Sequence, residues 1–125
     1  MILDTNALSA WAEQNPSALR LIEAQPFLCL PVVVLGEFRF GLLGSRKRSV
    51  IEPRLDFLEQ AVRVLDITRE TATVYATVRF ELKRRGKPIP ENDVWIASLA
   101  RQHGFSVMSQ DVHFDAIPGL RRLSW

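Results

Sequence analysis

Short apolar runs separated by helical patterns are the feature that most constrains the fold of this sequence. Residues 1–3, 27–30, 62–67 and 105–108 are each too short for a helix and end at proline or polar residues. Residues 121–125 form a candidate edge strand. Buried strands that alternate with helices predict a central, mostly parallel sheet of four to five strands with helices on both faces, which is an α/β fold.

Helical patterns occupy the segments between these runs. Residues 7–13 and the segment after Pro16 predict two short helices, and residues 32–43 predict a helix that is apolar on nearly every side and therefore buried. An amphipathic pattern around Leu55 predicts a surface helix. Residues 68–85 predict a long helix that Gly86 ends, and a further helix runs from Asn92 to about residue 102.

The length and composition indicate one globular domain. At 125 residues, with 47% hydrophobic and 24% charged residues, we expect a single domain over residues 1–125 and no disordered segment. No apolar run reaches the ~20 residues of a membrane-spanning helix, and no signal-peptide pattern opens the chain, so we expect a cytoplasmic protein. The single cysteine, Cys29, excludes an intrachain disulfide and a cysteine-based metal site.

Carboxylates lie at the predicted strand ends. Asp4 and Asp111 follow the first and fourth runs, and Asp93 opens the helix that leads into the fourth. In a parallel sheet, the strand C-termini and the N-termini of the following helices share one edge, where ligand sites collect. Each acid also has a structural interpretation, because Asp at such positions caps backbone N–H groups. The residues alone leave both interpretations open.

A fourth acid, Glu37, lies in the middle of the apolar helix at 32–43. A carboxylate on an apolar face destabilises a protein unless a cation or hydrogen-bond donors compensate it. By the helical rise, Glu37 lies only ~7–8 Å from the helix N-terminus, so its side chain can reach the same edge of the sheet. The alternative is a structural salt bridge to an arginine such as Arg39.

Convergence of these acids predicts a metal site. Carboxylates that meet in one cavity repel one another and require a cation between them. Oxygen ligands favour Mg²⁺ or Mn²⁺ over zinc, and such ions promote phosphodiester hydrolysis. The predicted ligands are Asp4, Glu37, Asp93 and Asp111.

A basic segment precedes Asp93 and is a candidate RNA-binding element. Its cations are Lys83, Arg84, Arg85 and Lys87. Cations at a helix C-terminus are also stabilised by the helix dipole, so a purely structural interpretation stays open. The net charge of +2 permits a nucleic-acid partner without requiring one. The histidines, His103 and His113, are interpreted as ordinary surface residues.

The sequence resembles the PIN-domain ribonucleases, and among them the VapC-type toxins of type II toxin–antitoxin modules. The resemblance covers essentially the whole chain and rests on residues 3–6, Glu37, 92–97, 109–114 and 118–120. It implies a three-layer α/β/α sandwich and an Mg²⁺- or Mn²⁺-dependent ribonuclease. The implied acidic quartet is Asp4, Glu37, Asp93 and Asp111.

The resemblance also implies supporting residues and partners. Asn6 and Ser109 support the quartet, and Asp115 is a candidate to replace or assist Asp111, because the family varies between acids and amides in this segment. The implied substrate is RNA, and the implied partners are a second copy of the chain and a VapB-type antitoxin. The apolar helix at 32–43, with Phe38 and Phe40, offers a surface for both protein partners.

Two alternatives stay open. A PIN-like scaffold can bind RNA or protein without cleaving, although such a scaffold tends to lose its acids and this chain has all four. A haloacid-dehalogenase-like phosphatase also begins with a strand that ends on Asp. That family requires a second Asp two residues later, where this chain has Asn6.

Overall fold

The computed structural model describes residues 1–125 and contains a five-stranded sheet. Its strands are β1 (Ile2–Leu3), β2 (Cys29–Pro31), β3 (Arg63–Leu65), β4 (Val107–Met108) and β5 (Arg122–Leu123). They pair in the order β3-β2-β1-β4-β5, and every pair is parallel. The predicted α/β class and the final edge strand are confirmed. The strands are shorter than the predicted runs, because an apolar run marks burial whereas a strand also requires ladder hydrogen bonds.

Six α-helices connect or flank the strands. They are α1 (Thr5–Ala12), α2 (Pro16–Glu23), α3 (Val32–Leu43), α4 (Arg48–Ala61), α5 (Arg69–Arg84) and α6 (Glu91–His103). Local chemistry sets their bounds: Asn15 caps α2 by accepting the N–H groups of Ser17 and Ala18, and Gly104 ends α6 with φ of 71°. None of these helices combines the length and hydrophobicity of a membrane-spanning segment.

The strand order reverses at β1, and this reversal positions the functional edge. The chain moves outward from β1 through β2 to β3 and then returns to β4 on the other side of β1. Because crossovers between parallel strands are right-handed, α1 to α4 and α5 to α6 cover opposite faces of the sheet. The C-terminal ends of β1 and β4 meet at the reversal, where Leu3 pairs with Met108. Asp4 and Ser109 therefore follow adjacent strands at the position where α/β folds bind ligands.

Helix α3 buries only one of its faces, so the predicted burial on nearly every side is wrong. Val34, Leu35, Phe38 and Leu42 are buried, whereas Phe40 is 78% and Leu43 is 64% exposed. Glu37 is also on the exposed side. The hydrophobicity of α3 therefore has two causes: one stripe packs in the core, and another forms an apolar surface.

Candidate active site

A polar cavity of about 520 Å³ opens at the C-terminal edge of the sheet. We call it the acidic cleft. Apart from Pro90, its lining residues are polar or charged. They are Asp4, Thr5, Asn6, Glu37, Pro90, Glu91, Asn92, Asp93 and Asp111. All four predicted acids and Asn6 thus line one cavity, although they are far apart in the sequence.

Asp4 serves both as a helix cap and as a wall of the acidic cleft. Only 4% of the residue is exposed, and its Oδ1 accepts the N–H of Ala7 at 2.8 Å in the first turn of α1. Burial raises the pKa of Asp4 to about 6. Hydrogen bonds from the Ser109 hydroxyl and the Ala7 N–H favour the charged form and oppose part of this rise. Repulsion from Asp93 and Asp111 raises this pKa further. The capping and functional interpretations of Asp4 are therefore compatible.

Asp93 and Asp111 face each other across His113. The Nδ1 atom of His113 lies 3.2 Å from Asp93 Oδ2 and 3.0 Å from Asp111 Oδ1. Burial raises the pKa of Asp93, a hydrogen bond to His113 opposes this rise, and the negative charges of Asp111 and Glu37 add to it. One oxygen from each acid and one ring nitrogen of His113 lie within 4.8 Å of one another, which is a spacing that one metal ion can bridge.

Ser109 fixes the turn that carries Asp111. The Asp111 N–H donates to Ser109 Oγ at 2.9 Å, and Asp111 Oδ1 accepts the N–H of His113 at 2.9 Å. Asp111 thereby caps a short 3₁₀ helix, Val112–Ala116. These bonds orient the Asp111 carboxylate toward the acidic cleft, which is the supporting position expected for Ser109.

Glu37 reaches the acidic cleft from α3. Its Oε2 accepts the Thr5 hydroxyl at 2.6 Å, so a residue next to Asp4 holds it in place. The alternative salt bridge to Arg39 does not form, because residues two apart on a helix point in different directions. Arg39 instead pairs with Asp56 and Glu59 on α4.

Asp115 does not join the other acids. Both of its carboxylate oxygens bond to Arg122, at 2.8 and 2.9 Å, and this arginine holds the pKa of Asp115 below its usual range. Arg122 also donates to the Ser109 carbonyl at 3.1 Å. The pair therefore braces β5 against the end of β4, and Asp111 is the acid from this segment that lines the cleft.

The predicted RNA-binding cations lie outside the acidic cleft. Lys83, Arg84, Arg85 and Lys87 are exposed at the end of α5 and in the following loop. Arg85 donates to the Ala116 carbonyl at 3.5 Å, and Lys83 lines a separate, adjoining cavity. The loop carries the chain directly to Pro90 and Glu91, which do line the cleft.

Four polar residues of the site were not predicted as site residues. Thr5, Glu91 and Asn92 line the cleft, and His113, expected to be an ordinary surface residue, contacts two acids. The sequence feature that could have indicated His113 is its position two residues after Asp111. Asp111 caps the turn between them, and this turn directs His113 back toward the cleft. For Thr5 and Asn92 the signal is adjacency to Asp4 and Asp93.

Comparison with known proteins identifies the family. A model of the PIN domain matches residues 1–120. The chain belongs to the PIN domain family. Ribonuclease VapC2 of Rickettsia felis is 26% identical over 129 residues, covering 99% of this chain and 96% of that protein. Toxin FitB of Neisseria gonorrhoeae is 29% identical over 124 residues, covering 89% and 87%.

A solved structure supports the same assignment. VapBC2 from Rickettsia felis, bound to a DNA fragment from their promoter, contains a chain that matches with a TM-score of 0.86 and 25% identity. The match covers 99% of this chain and 97% of that one. The three-layer PIN architecture expected from the sequence is therefore confirmed over nearly the whole chain.

The acidic cleft of this PIN domain fits a divalent cation. PIN-domain nucleases generally depend on divalent metal ions. The oxygens of Asp93 and Asp111 are close enough to share one ion, and Asp4 is a buried carboxylate with no salt bridge to a protein cation. Asp4 and Glu37 line the same cavity as Asp93 and Asp111, so these four carboxylates are the candidate ligands of such an ion.

Proposed function

We propose that residues 1–125 act as one PIN domain, a metal-dependent endoribonuclease that is the toxin of a toxin–antitoxin pair. The observation that carries this proposal is the convergence of Asp4, Glu37, Asp93 and Asp111 in one cavity whose other lining residues, apart from Pro90, are also polar or charged. The relatives named as ribonuclease and toxin support it. Mg²⁺ or Mn²⁺ is the expected cofactor, because carboxylate oxygens are the ligands these ions prefer.

The residues of the cleft have distinct tasks in RNA hydrolysis. When bound, the metal ion supplies Lewis-acid chemistry for phosphodiester cleavage and offsets the charge of the phosphate. Asp4 is held rigidly by the Ala7 N–H, and His113 fixes the separation of Asp93 and Asp111. Thr5 occupies only Oε2 of Glu37, which leaves Oε1 to orient a water molecule and accept its proton.

The basic segment attracts the RNA backbone toward this edge. Its four cations are exposed and lie within a few residues of Pro90 and Glu91, at the rim of the acidic cleft. Lysine and arginine at such a rim increase the affinity for a polyanion in a salt-dependent manner. They offset the repulsion that RNA phosphates meet from the carboxylates.

The exposed apolar surface supports protein partners. Phe40 and Leu43 on α3 and Phe57 on α4 are 78%, 64% and 77% exposed. Large apolar side chains exposed together mark protein interaction sites. We therefore propose that this surface takes part in a homodimer and in binding a VapB-type antitoxin, and the similarity to a VapBC2 structure supports the second partner.

Cleavage assays on single-stranded RNA test the enzymatic proposal. Wild type should cleave RNA with Mg²⁺ or Mn²⁺ and lose this activity in EDTA, and Asp93→Asn should lose at least about a hundredfold in rate, the scale of a missing electrostatic or acid–base contribution. Asp66→Asn is the matched control, because it removes one exposed carboxylate outside the cleft. Equal cleavage by Asp93→Asn and the control, with metal present, would reject the proposed role of Asp93. Absence of metal-dependent cleavage by the wild type would favour a non-catalytic scaffold.

A further inference from the structure

A second cavity, of about 470 Å³, adjoins the acidic cleft between α5 and the start of α6. The two cavities share Glu91 as a common wall. The second cavity combines an aromatic ring, apolar side chains and two cations, and its principal lining residues are Tyr75, Arg79, Leu82, Lys83, Ile89 and Glu91. Its volume and mixed lining are those of a small-ligand site.

The helical period of α5 places the aromatic ring and the cations in one row. Tyr75, Arg79 and Lys83 are spaced four residues apart and therefore lie on one face of the helix. Lys83 makes no salt bridge, and the nearest carboxylate oxygen to Arg79, on Glu91, is 3.9 Å away. The Arg79 side chain is 64% exposed. A positively charged rim thus borders the negatively charged cleft.

Hydrogen bonds and stacking fix the wall between the two cavities. The Tyr75 ring stacks on Trp95, with ring centroids 3.8 Å apart and an interplanar angle of 19°. The Tyr75 hydroxyl accepts a hydrogen bond from Arg79 Nη1 at 2.6 Å and donates to Glu91 Oε1 at 3.2 Å. The ring therefore has one set orientation, which lowers the entropy lost when a ligand packs against it.

We propose that this cavity is a nucleotide subsite for the RNA strand that enters the acidic cleft. The base of the nucleotide beside the cleaved bond packs against Ile89 and the part of the Tyr75 ring that Trp95 leaves uncovered, beside the Arg79 guanidinium. The phosphate of this nucleotide contacts Arg79 and Lys83. Glu91 offers an acceptor for an amino group of the base at the border of the cleft. This inference rests on the proposed ribonuclease function, and it assigns RNA contacts to Tyr75, Arg79 and Ile89 beyond the basic segment itself.

The charges that line the second cavity, and its connection to the acidic cleft, favour RNA over an acidic peptide as the occupant. Aromatic and apolar walls suit a flat base, two cations suit the attached phosphate, and the shared Glu91 wall leads directly to the carboxylates. A carboxylate-bearing peptide would satisfy the cations and leave the aromatic wall and the adjoining acids without a complementary group.

Binding of a fluorescein-labelled single-stranded RNA to the Asp93→Asn protein in Mg²⁺ tests the phosphate contacts. Adding Arg79→Ala and Lys83→Ala should raise the Kd about tenfold at moderate salt. These changes should also reduce the slope of log K against log salt by about 1.4, the value for two contacts to a single strand. The control adds Arg20→Ala and Arg69→Ala, which remove the same charge from exposed positions outside both cavities. A Kd for the Arg79 and Lys83 protein equal to that of the control would overturn the proposal.

Abasic scanning of the RNA tests the base contact without altering the protein. Removing the base at one position should weaken binding about tenfold, as expected for the loss of one stacked base. The penalty should persist in Tyr75→Phe, which keeps the ring, and should fall in Tyr75→Ala or, if that variant is unfolded, in Ile89→Asp. An equal effect of abasic sites at every position would overturn the subsite.

Two further results separate this inference from the proposed function. Binding of polyglutamate that Arg79→Ala and Lys83→Ala abolish, together with an RNA affinity that these changes leave unaltered, would assign the cavity to an acidic protein and overturn the subsite. Metal-dependent cleavage by the wild type together with unaffected subsite variants would reject the subsite alone. Absence of cleavage by the wild type would reject the ribonuclease itself.

Discussion

The substitution Asp4→Asn measures how much the buried charge of Asp4 destabilises the metal-free protein. Burial, with added repulsion from Asp93 and Asp111, raises the pKa of Asp4 from 3.8 to about 6. Because the folded state favours the protonated carboxyl, the free energy of unfolding falls as the pH rises from 3.8 to about 6 and then stays level. The full rise in the pKa of Asp4 corresponds to a destabilisation of the folded state of about 3 kcal/mol at neutral pH.

Asparagine removes this charge and keeps the oxygen that caps α1 at the Ala7 N–H. The value of about 3 kcal/mol is an upper limit, because burying a neutral amide in the same place also has a desolvation cost. A net gain of about 1–2 kcal/mol should raise the Tm in EDTA at pH 7.5 by about 4–8 °C. Near pH 4 the carboxyl of the folded wild type is protonated, so the gain should disappear and the desolvation cost of the amide should leave Asp4→Asn no more stable than the wild type. Circular dichroism melts at both pH values measure this difference.

Metal should reverse the order of stability. At a hundredfold excess over Kd, Mn²⁺ stabilises the wild type by about 2.7 kcal/mol, or roughly 10 °C in Tm, whereas Asp4→Asn should gain less. Asp66→Asn controls for the change in net charge. If Asp4→Asn melts below the wild type in EDTA at pH 7.5, and the wild type shows no shift with Mn²⁺, Asp4 acts only as a helix cap.

Three further predictions concern His113, the basic segment and the apolar surface. His113→Ala should lower the Tm in EDTA by a few degrees and reduce the shift with Mn²⁺, because Asp93 and Asp111 lose the ring that fixes their separation; an unchanged metal shift would show that His113 has no part in the site. Replacing the four cations of the basic segment by Ala should reduce the salt slope of RNA binding by up to about 2.8, and an unchanged slope would leave them as helix-capping cations. Phe40→Asp should shift sedimentation from dimer to monomer, and a wild type that is already monomeric at micromolar concentration would contradict the dimer.

The sequence predicts the fold and the meeting of the acids because both follow from topology. Short apolar runs between helices require a parallel sheet, and parallel strands bring their C-terminal ends to one edge. Asp4, Asp93 and Asp111 are adjacent to strand or helix ends, so their convergence follows from element order alone.

Side-chain partners are not predictable in the same way, because they depend on tertiary packing. Hydrophobicity places Glu37 on a buried helix, yet α3 exposes a second apolar stripe and Glu37 lies there beside Thr5. The choice between Asp111 and Asp115 is decided by Arg122, which binds Asp115 from the last strand. The position of His113 depends on the turn that Asp111 caps.

Calorimetric titration with Mn²⁺ tests the central claim, that separate carboxylates form one metal site, most directly. The wild type should bind Mn²⁺. Each of the substitutions Asp4→Asn, Asp93→Asn and Asp111→Asn should weaken this binding at least about tenfold, a loss of about 1.4 kcal/mol. Asp115→Asn should bind Mn²⁺ like the wild type. Folding of each variant is checked by its circular dichroism spectrum. Retained binding in the first three variants, or an equal loss in Asp115→Asn, would contradict the shared site.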